Sequence, residues 1–184
     1  MSVELSARDN FWRNICVELS NNTKCLSRKV GAVIAKENKY IISTGYNGPC
    51  TGAVHCDDTD YRQRLASRLL KDGVLVDFDY LIEMNGMCPR KIIGYNSSEG
   101  LKYCQAAHAE RNAIDMAARL GHSVNRLTMY LNYGLPCIEC AKSIVNSGIK
   151  ELVVADEDDV YEKSGWTGKD ILNFGGVEIR EYEV

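Results

Sequence analysis

The sequence predicts an α/β fold in which helices cover both faces of one mixed sheet, a three-layer α/β/α sandwich. β-rich and helical segments alternate through the second half of the chain, and two β-rich runs joined by a short turn precede them as a hairpin. The chain has 184 residues, of which 45% are hydrophobic, so it can fill one sizeable core. We therefore expect a single domain over 1–184.

The elements follow from hydrophobic period and from turn residues along the chain. An amphipathic helix is predicted over 6–21 with Ser6 as its N-cap. Strands over 30–35 and 40–45 flank the turn-forming residues 36–39. The later elements are a helix over 106–120, a strand over 127–131, a helix over 136–147 with Pro136 in its first turn and Gly148 at its end, a strand over 152–155, a helix over 168–174 and a strand over 177–180.

Residues 50–104 do not fit this alternation. They contain a polar helical segment near 60–71, an apolar stretch at 74–82 and a glycine-rich stretch at 94–100. We therefore predict an insertion at about 50–104, between the second strand and the second helix of the fold.

Charge and hydropathy exclude several classes of partner. The chain has 22 Lys+Arg and 25 Asp+Glu, a formal net charge of −3, whereas a general nucleic-acid binder is usually basic. This balance still allows a small anionic ligand in a local basic pocket. No apolar run approaches the roughly 20 residues that span a bilayer, and the polar amino end lacks the apolar stretch of a signal peptide. We expect a cytoplasmic protein with no membrane partner.

The strongest chemical signal is a His-x-Glu at 108–110 combined with a Pro-Cys-x-x-Cys at 136–140. His108, Cys137 and Cys140 provide the three N/S ligands of a catalytic zinc, and water takes the fourth position. Glu110 is then placed to move protons to and from that water. A structural zinc knot is the alternative, but it needs a fourth protein ligand and leaves Glu110 unexplained. The spacing is that of zinc-dependent nucleobase deaminases.

Four segments resemble the deoxycytidylate (dCMP) deaminases, particularly phage and bacterial members: HAERNAI at 108–114, PCIEC at 136–140, KVGAVI at 29–34 and STGYNG at 43–48. The resemblance extends from about residue 8 to the carboxyl end. It implies a mixed five-stranded sheet and hydrolysis of dCMP to dUMP and ammonia, which feeds thymidylate synthesis. It also implies a homo-oligomer, a hexamer in many members, activated by dCTP and inhibited by dTTP. A triphosphate effector of this kind would bring Mg²⁺ with it.

The resemblance also suggests residues for the substrate and the effectors. Asn47 would contact the deoxynucleotide, although an Asn in a glycine-flanked turn is common for local reasons alone. Arg28, with Lys29, would supply charge to the phosphate, or would be an ordinary solvated cation. Tyr161 matches a tyrosine near the phosphate in similar enzymes. Arg119 would lie at a subunit contact tied to nucleotide regulation, although an arginine at a helix end also simply suits the helix dipole.

The chain has eight cysteines, and a reducing compartment favours metal ligation over disulfides for clustered ones. Cys16 lies in an apolar helical pattern and is expected to be a buried thiol. Similar phage and bacterial deaminases carry a second, structural zinc, and here it would pin the insertion to the hairpin. The ligand set that we expect is Cys25, Cys56, Cys88 and Cys104. His55 and Cys50 are alternative ligands, and ordinary reduced thiols are the other interpretation.

Two other functions remain open from the sequence. A tRNA adenosine deaminase shares the zinc core but acts on an extruded base. The acidic balance, the absence of a basic carboxyl-terminal helix and the loop at 46–48 weigh against it. A non-catalytic zinc scaffold that senses nucleotides is the second alternative, and an intact Glu110 weighs against that one.

Overall fold

A computed structural model of the chain describes residues 2–96, 99–155 and 165–182, with side chains from residue 7 onward. The chain divides into two compact units. Unit 1 comprises Met1–Thr23, Lys29–Asn47 and His108–Val184, and unit 2 comprises Lys24–Arg28 and Gly48–Ala107. The long run of unit 2 covers the predicted insertion at about 50–104, and the assignment of the whole chain to one deaminase domain stays a prediction.

The helices and strands alternate as the sequence predicts. In chain order they are α1 (Ser2–Ser20), β1 (Gly31–Lys36), β2 (Tyr40–Tyr46), β3 (Gly48–Pro49), α2 (Thr59–Lys71), α3 (Phe78–Glu83), α4 (Pro89–Ile92), β4 (Ala106–Ala107), α5 (Ala109–Arg119), β5 (Thr128–Leu131), α6 (Ile138–Ser147), β6 (Glu151–Val154), α7 (Gly168–Phe174) and β7 (Glu178–Glu181). In the part of the chain that the structure describes, none of these helices is long and apolar enough to cross a membrane.

Unit 1 is built on a five-stranded sheet in the order β2-β1-β5-β6-β7. Strand β1 pairs antiparallel with both β2 and β5, so that Val33 lies opposite Thr44 on one side and Tyr130 on the other. The pairs β5–β6 and β6–β7 are parallel, with Leu152 between Met129 and Ile179. The predicted mixed five-stranded sheet is therefore confirmed.

Helices cover both faces of this sheet because successive side chains of each strand point to opposite sides. Ala32 and Ile34 of β1 belong to the cluster that packs with α5, α6 and α7. Val33 belongs to the opposite cluster, where it packs with Trp12 and Cys16 of α1. The predicted three-layer α/β/α arrangement is confirmed, and Cys16 is a fully buried thiol as expected.

Two helix starts differ from the prediction, and both differences fall at residues of the zinc motif. Helix α5 begins at Ala109, since Ala106–Ala107 pair with Gly48–Pro49 as a short ladder and His108 has extended backbone angles (φ −79°, ψ 156°). Helix α6 begins at Ile138 after an extended Cys137 (φ −64°, ψ 162°), so Pro136 precedes the helix. Both N-cap positions therefore carry ligand-type side chains, His108 and Cys137, in place of the Ser, Thr, Asp or Asn that usually caps a helix.

The first helix also starts earlier than predicted. Helix α1 begins at Ser2, so the prediction of Ser6 as its N-cap is wrong. The segment at 2–5 contains no proline or glycine, and nothing in it disfavours continuation of the helix.

Unit 2 has a small core of its own. Leu65, Leu69, Leu81 and Tyr103 are buried together. Asp58 caps the N-terminus of α2 by accepting a hydrogen bond from the Tyr61 backbone N–H. The apolar stretch at 74–82 therefore has a partner in the amphipathic face of α2.

A buried ion pair ties α1 to the far edge strand of unit 1. Asp9 is fully buried and accepts from both terminal nitrogens of Arg180, at 2.6 and 3.0 Å. The Nε of Arg180 donates to Glu151 at 2.9 Å. Two parallel hydrogen bonds of this kind are the strongest arrangement for an arginine and a carboxylate.

We predict that Asp9→Ala lowers the free energy of unfolding by about 2–4 kcal/mol, because it leaves the guanidinium without its bidentate partner. We place the effect near the lower end of the range for buried pairs since the Arg180 side chain is 32% exposed. Glu178→Ala is the matched control, because this carboxylate is 68% exposed and 3.8 Å from Lys150 Nζ. It should cost less than about 1 kcal/mol in urea denaturation. Equal losses in the two variants would contradict the prediction.

Candidate functional site

The structure brings together three of the residues that the zinc motif predicts. The Nδ1 atom of His108 lies 3.4 Å from the Sγ atoms of both Cys137 and Cys140. The three ligand atoms all lie within 4.8 Å of one another. His108 and Cys137 are the N-caps of α5 and α6, so two helix N-termini meet at this point.

The separations fit a tetrahedral zinc. Zn–N of about 2.0–2.1 Å and Zn–S of about 2.3 Å place the nitrogen and sulfur about 3.6 Å apart at a tetrahedral angle, and the structure has 3.4 Å. Three protein ligands leave one position for water or substrate, as in catalytic zinc sites. Among the described residues no other group of three or more candidate ligand atoms is this close.

The two thiols share a proton in a way that favours metal binding. A hydrogen bond from Cys140 lowers the pKa of the Cys137 thiol to about 4, against the effect of burial and with help from His108. The same interaction, together with burial, raises the pKa of Cys140, which keeps the proton of the pair. One thiolate is therefore present near neutral pH, and metal binding would displace the second proton.

Glu110 lies beside this group without belonging to it. Its side chain is buried in the first turn of α5, next to the fully buried Ala109 and Ala113. Burial raises the pKa of the Glu110 carboxyl, and the charge of His108 opposes that shift. The carboxyl therefore keeps a proton to higher pH than an exposed glutamate, which suits a group that both accepts and delivers protons.

A close backbone approach supports the turn that carries Cys137. A Cβ atom on Gly168 would lie 1.9 Å from the Pro136 carbonyl oxygen, so only glycine allows α7 to begin here. Thr167 and Asp170 form a capping box at the start of the same helix. Our reading of the sequence missed this support, although Thr-x-x-Asp is a recognisable helix start.

Asn47 is buried at the end of the hairpin in unit 1. Its Oδ1 accepts from the Val30 backbone N–H at 2.8 Å, and its backbone carbonyl accepts from the Thr23 hydroxyl. A positive φ does not explain this asparagine, since the described non-glycine residues with positive φ are Glu37, Asn38 and Arg126. Its contacts hold the hairpin end in place.

Another asparagine ties this loop to the helix that carries Glu110. The Asn112 side-chain amide donates to the Tyr46 carbonyl at 2.7 Å, one residue before Asn47. A Cβ on Gly45 would lie 2.3 Å from the Ala109 carbonyl oxygen, so β2 approaches the first turn of α5 directly. Sequence analysis did not single out Asn112. Its position in the run HAERNAI, four residues after His108 and hence on the same helix face, is the signal that could have found it.

The remaining predicted residues are distributed more widely. Arg28 is half-buried in unit 2, and Lys29 is exposed in unit 1. Arg119 is exposed in the last turn of α5, about 14 Å along the helix from Glu110 at 1.5 Å per residue. The metal group therefore does not include Arg119. Tyr161 lies outside the described residues.

The four cysteines predicted for a second metal line one cavity of unit 2. Its volume is about 30 Å³, which accommodates a water or an ion and excludes a nucleotide. The predicted cysteines that line it are Cys25, Cys56, Cys88 and Cys104. Of the two alternative ligands, His55 also lines the cavity, whereas Cys50 is exposed and its thiol lies 3.8 Å from the Gln105 carbonyl oxygen.

These thiols influence one another electrostatically. Burial raises the pKa of Cys56 to about 11, with further contributions from Cys88 and Cys25. Burial also raises the pKa of Cys104, and the positive charge of Arg90 opposes that shift. The sulfurs are not gathered as closely as the His108 group, so metal binding would have to draw them together.

Comparisons with known proteins agree with this geometry. The family model for the cytidine and deoxycytidylate deaminase zinc-binding region matches residues 6–156. The deoxycytidylate deaminase of Enterobacteria phage T4 is 38% identical over 164 residues, which cover 88% of this chain and 82% of that protein.

Solved structures show the same fold. The dCMP deaminase of cyanophage S-TIM5 in its apo form superimposes with a TM-score of 0.60 at 20% identity, covering 94% of this chain and 95% of that one. The same enzyme in complex with dCMP and dUMP gives a TM-score of 0.59 at 21% identity and covers 94% of each chain.

We predict that Gly168→Ala weakens metal binding at the His108 group, because the added methyl group displaces the Pro136 carbonyl and with it Cys137. Overpacking of this kind costs about 1–3 kcal/mol, or roughly tenfold or more in zinc affinity. Chelator competition on the purified variant measures the change. Gly86→Ala is the control, since nothing lies within 4 Å of its added methyl group. Wild-type zinc affinity in Gly168→Ala would show that this contact does not position the ligand.

Proposed function

The chain belongs to the family of cytidine and deoxycytidylate deaminases, and from this premise we propose that it hydrolyses dCMP to dUMP and ammonia. The observation that carries the proposal is the buried Glu110 carboxyl beside three N/S ligand atoms that leave one zinc position open. A cytoplasmic enzyme of this kind would act on free nucleotides.

His108, Cys137 and Cys140 would hold the zinc. When bound, zinc lowers the pKa of its water so that a nucleophile for C4 of cytosine is available near neutral pH. Glu110 would take one proton of that water and deliver it to N3 of the base as the water oxygen bonds to C4. It would then take the remaining proton of the same oxygen and deliver it to the exocyclic amine, so that the C4–N bond breaks, ammonia leaves and the C4 carbonyl forms. A carboxyl whose pKa is raised by burial suits these two deliveries.

We propose that Asn47 positions the deoxynucleotide and that Arg28 and Tyr161 face its phosphate. The support for Asn47 is its burial and its fixed backbone at the hairpin end. The hydrogen bond from Asn112 to the Tyr46 carbonyl would fix the position of Asn47 relative to the helix that bears Glu110. For Arg28 and Tyr161 the support is the sequence resemblance alone.

The test is an ammonia-release assay on dCMP, dCTP, CMP and deoxycytidine, with wild-type protein and Glu110→Gln. We expect wild type to prefer dCMP. Glu110→Gln should retain zinc and lose at least about 10²–10⁴-fold in turnover, the usual contribution of a general acid/base. The loss is expected at the upper end, since Glu110 acts in more than one transfer.

Glu139→Gln is the matched control for that assay. Glu139 is one residue from Cys140, is exposed and pairs with Lys142 at 2.6 Å, so its loss should leave turnover unchanged. A Glu110→Gln variant that keeps a tenth of the wild-type activity would remove Glu110 from the mechanism. Equal rates on dCMP and deoxycytidine would contradict the proposed contacts to the phosphate.

We further propose a homo-oligomer that dCTP, bound with Mg²⁺, activates and dTTP inhibits. Arg119 is our candidate for the effector contact between subunits. Its support is its exposure at the carboxyl end of α5, the helix whose other end carries Glu110, so that one helix would join the two sites.

Arg119→Glu should therefore change regulation without changing the metal. We expect wild-type rates to depend sigmoidally on dCMP and to become hyperbolic when dCTP is added, whereas the variant should lose about tenfold in sensitivity to dCTP, as allosteric coupling free energies of 1–3 kcal/mol allow. Arg111→Glu, an exposed arginine at the other end of the helix, is the control. The proposal would be contradicted if the wild-type rate depended hyperbolically on dCMP and neither dCTP nor dTTP changed it.

We also propose a second, structural zinc in the cavity of unit 2, with Cys25, Cys56, Cys88 and Cys104 as ligands. The support is their shared cavity, whose volume of about 30 Å³ suits one ion. Four thiolates complete the coordination of a zinc that has no open position, which is characteristic of structural sites.

Purified protein should then contain two zinc ions per chain. Cys56→Ser is expected to lower the content to one and to reduce thermal stability, because structural zinc contributes folding free energy directly. Cys50→Ser is the control, since Cys50 is exposed and does not line the cavity. If the wild type contained one zinc per chain and the two variants were equally stable, the four cysteines of the cavity would be ordinary thiols and not zinc ligands.

A further inference from the structure

Unit 2 contains a fully buried arginine that two cysteine-bearing loops surround. Arg62 makes five hydrogen bonds, of 2.5 to 3.1 Å, all to backbone carbonyls. One acceptor is the carbonyl of Cys56, and another is the carbonyl of Met87, which immediately precedes Cys88. Arg62 therefore fixes the backbone at two of the four cysteines that line the cavity.

The carbonyl groups satisfy the donors of Arg62 but do not neutralise its charge. Burying a cation is costly unless a negative charge lies near it. The groups whose negative charge, when they are ionised, would raise the pKa of Arg62 include Cys56, Asp57 and Cys88. Asp57 is exposed to solvent, Cys56 is half-buried and Cys88 is buried. The candidates away from solvent are therefore thiols, which are neutral unless they lose their protons.

Another arginine, Arg90, lines the cavity itself and has a buried donor without a partner among the residues that the structure describes. Arg90 uses Nη1 to bond the Glu99 carbonyl at 2.5 Å. Its Nε is buried, and no acceptor for it exists in the described part of the chain. A buried donor without a partner destabilises the folded state. The charge of Arg90 acts on Cys104, which lines the cavity as well.

We propose that the cavity of unit 2 holds a negatively charged metal–thiolate centre, and that Arg62 and Arg90 are positioning residues that compensate its charge, with Arg90 Nε donating to a cysteine sulfur. This inference rests on the proposed second zinc. Four thiolates and one Zn²⁺ carry a net charge of about −2, which two guanidinium groups offset. The same centre supplies the acceptor that Arg90 Nε lacks.

The negative charge of the centre distinguishes it from two simpler states of the cavity, one that holds a water molecule and one in which the thiols are neutral. A water molecule would accept from Arg90 Nε but would leave the charge of Arg62 uncompensated. Neutral thiols would compensate neither arginine, and a thiol is a weak acceptor. Outer groups that bond to metal ligands typically change metal affinity about 10–100-fold when they are removed, so the arginines should be visible in metal binding.

Arg90→Met in the full-length zinc-loaded protein tests the inference, because methionine keeps apolar bulk and removes both the charge and the Nε–H group. In competition with a chelator, we expect the affinity of the protein for one of its two zinc ions to fall about 10–100-fold. The affinity for the other zinc and the rate on dCMP should stay unchanged. In cobalt-substituted protein, the thiolate-to-cobalt absorption of the four-cysteine centre should shift or weaken. A purely structural role would not change that spectrum.

Arg90→Lys separates charge from packing, since lysine keeps the positive charge and lacks Nε–H. It should recover part of the lost affinity. Arg64→Met is the matched control because Arg64 is on the same unit, 78% exposed and paired with Asp60. Arg64→Met should release zinc as wild type does. Wild-type zinc affinity in Arg90→Met, or no recovery in Arg90→Lys, would overturn the inference.

These outcomes can be told apart from failure of the proposed activity. Wild-type protein with one zinc per chain would overturn the four-cysteine centre and its arginines together, whatever the rate on dCMP. Two zinc ions without turnover of any cytosine nucleotide would overturn the proposed activity, and the Arg90 variants would still decide the charge compensation on metal binding alone.

Discussion

Two helix N-termini converge on the same few atoms, and the rest of unit 1 serves to hold them there. His108 is the N-cap residue of α5, and Cys137 is the N-cap residue of α6. The thiolate of the pair falls on Cys137, because its interaction with Cys140 lowers the pKa of Cys137, whereas Cys140 keeps its proton until a metal displaces it. Glu110 lies in the first turn of α5, where burial raises the pKa of its carboxyl.

This convergence depends on close packing of backbone against backbone. Gly45 lets β2 approach the first turn of α5, and Gly168 lets α7 begin against the Pro136 carbonyl. A larger side chain at Gly45 would displace the first turn of α5, and one at Gly168 would displace the Pro136 carbonyl next to Cys137. On the opposite face of the sheet, the buried Asp9–Arg180 pair fixes α1 to β7, so both layers of helices are tied to the strands.

The interior of unit 2 is built differently from that of unit 1. Its apolar cluster is small, and its most buried polar group is a cation that bonds only to carbonyls. Arg90 lines a cavity that thiols also line, and Arg62 bonds to the backbone at Cys56 and next to Cys88, two of those thiols. A centre of negative charge would make this arrangement favourable, whereas neutral thiols would leave it strained electrostatically. In this view the arginines and the cysteines of unit 2 form one charge-balanced group.

The alternation of strands and helices, the three-layer fold and the zinc motif could all be predicted from the sequence. They depend on local hydrophobic period and on two short motifs, one at 108–110 and one at 136–140. The sequence also indicated which four cysteines to consider together. It did not reveal Gly168, Asn112 or the two arginines of unit 2. Their roles come from contacts between segments far apart in the chain, such as Arg62 with Met87. Only the tertiary structure decides which backbone carbonyl, buried donor or glycine meets which partner, since those contacts carry no local pattern.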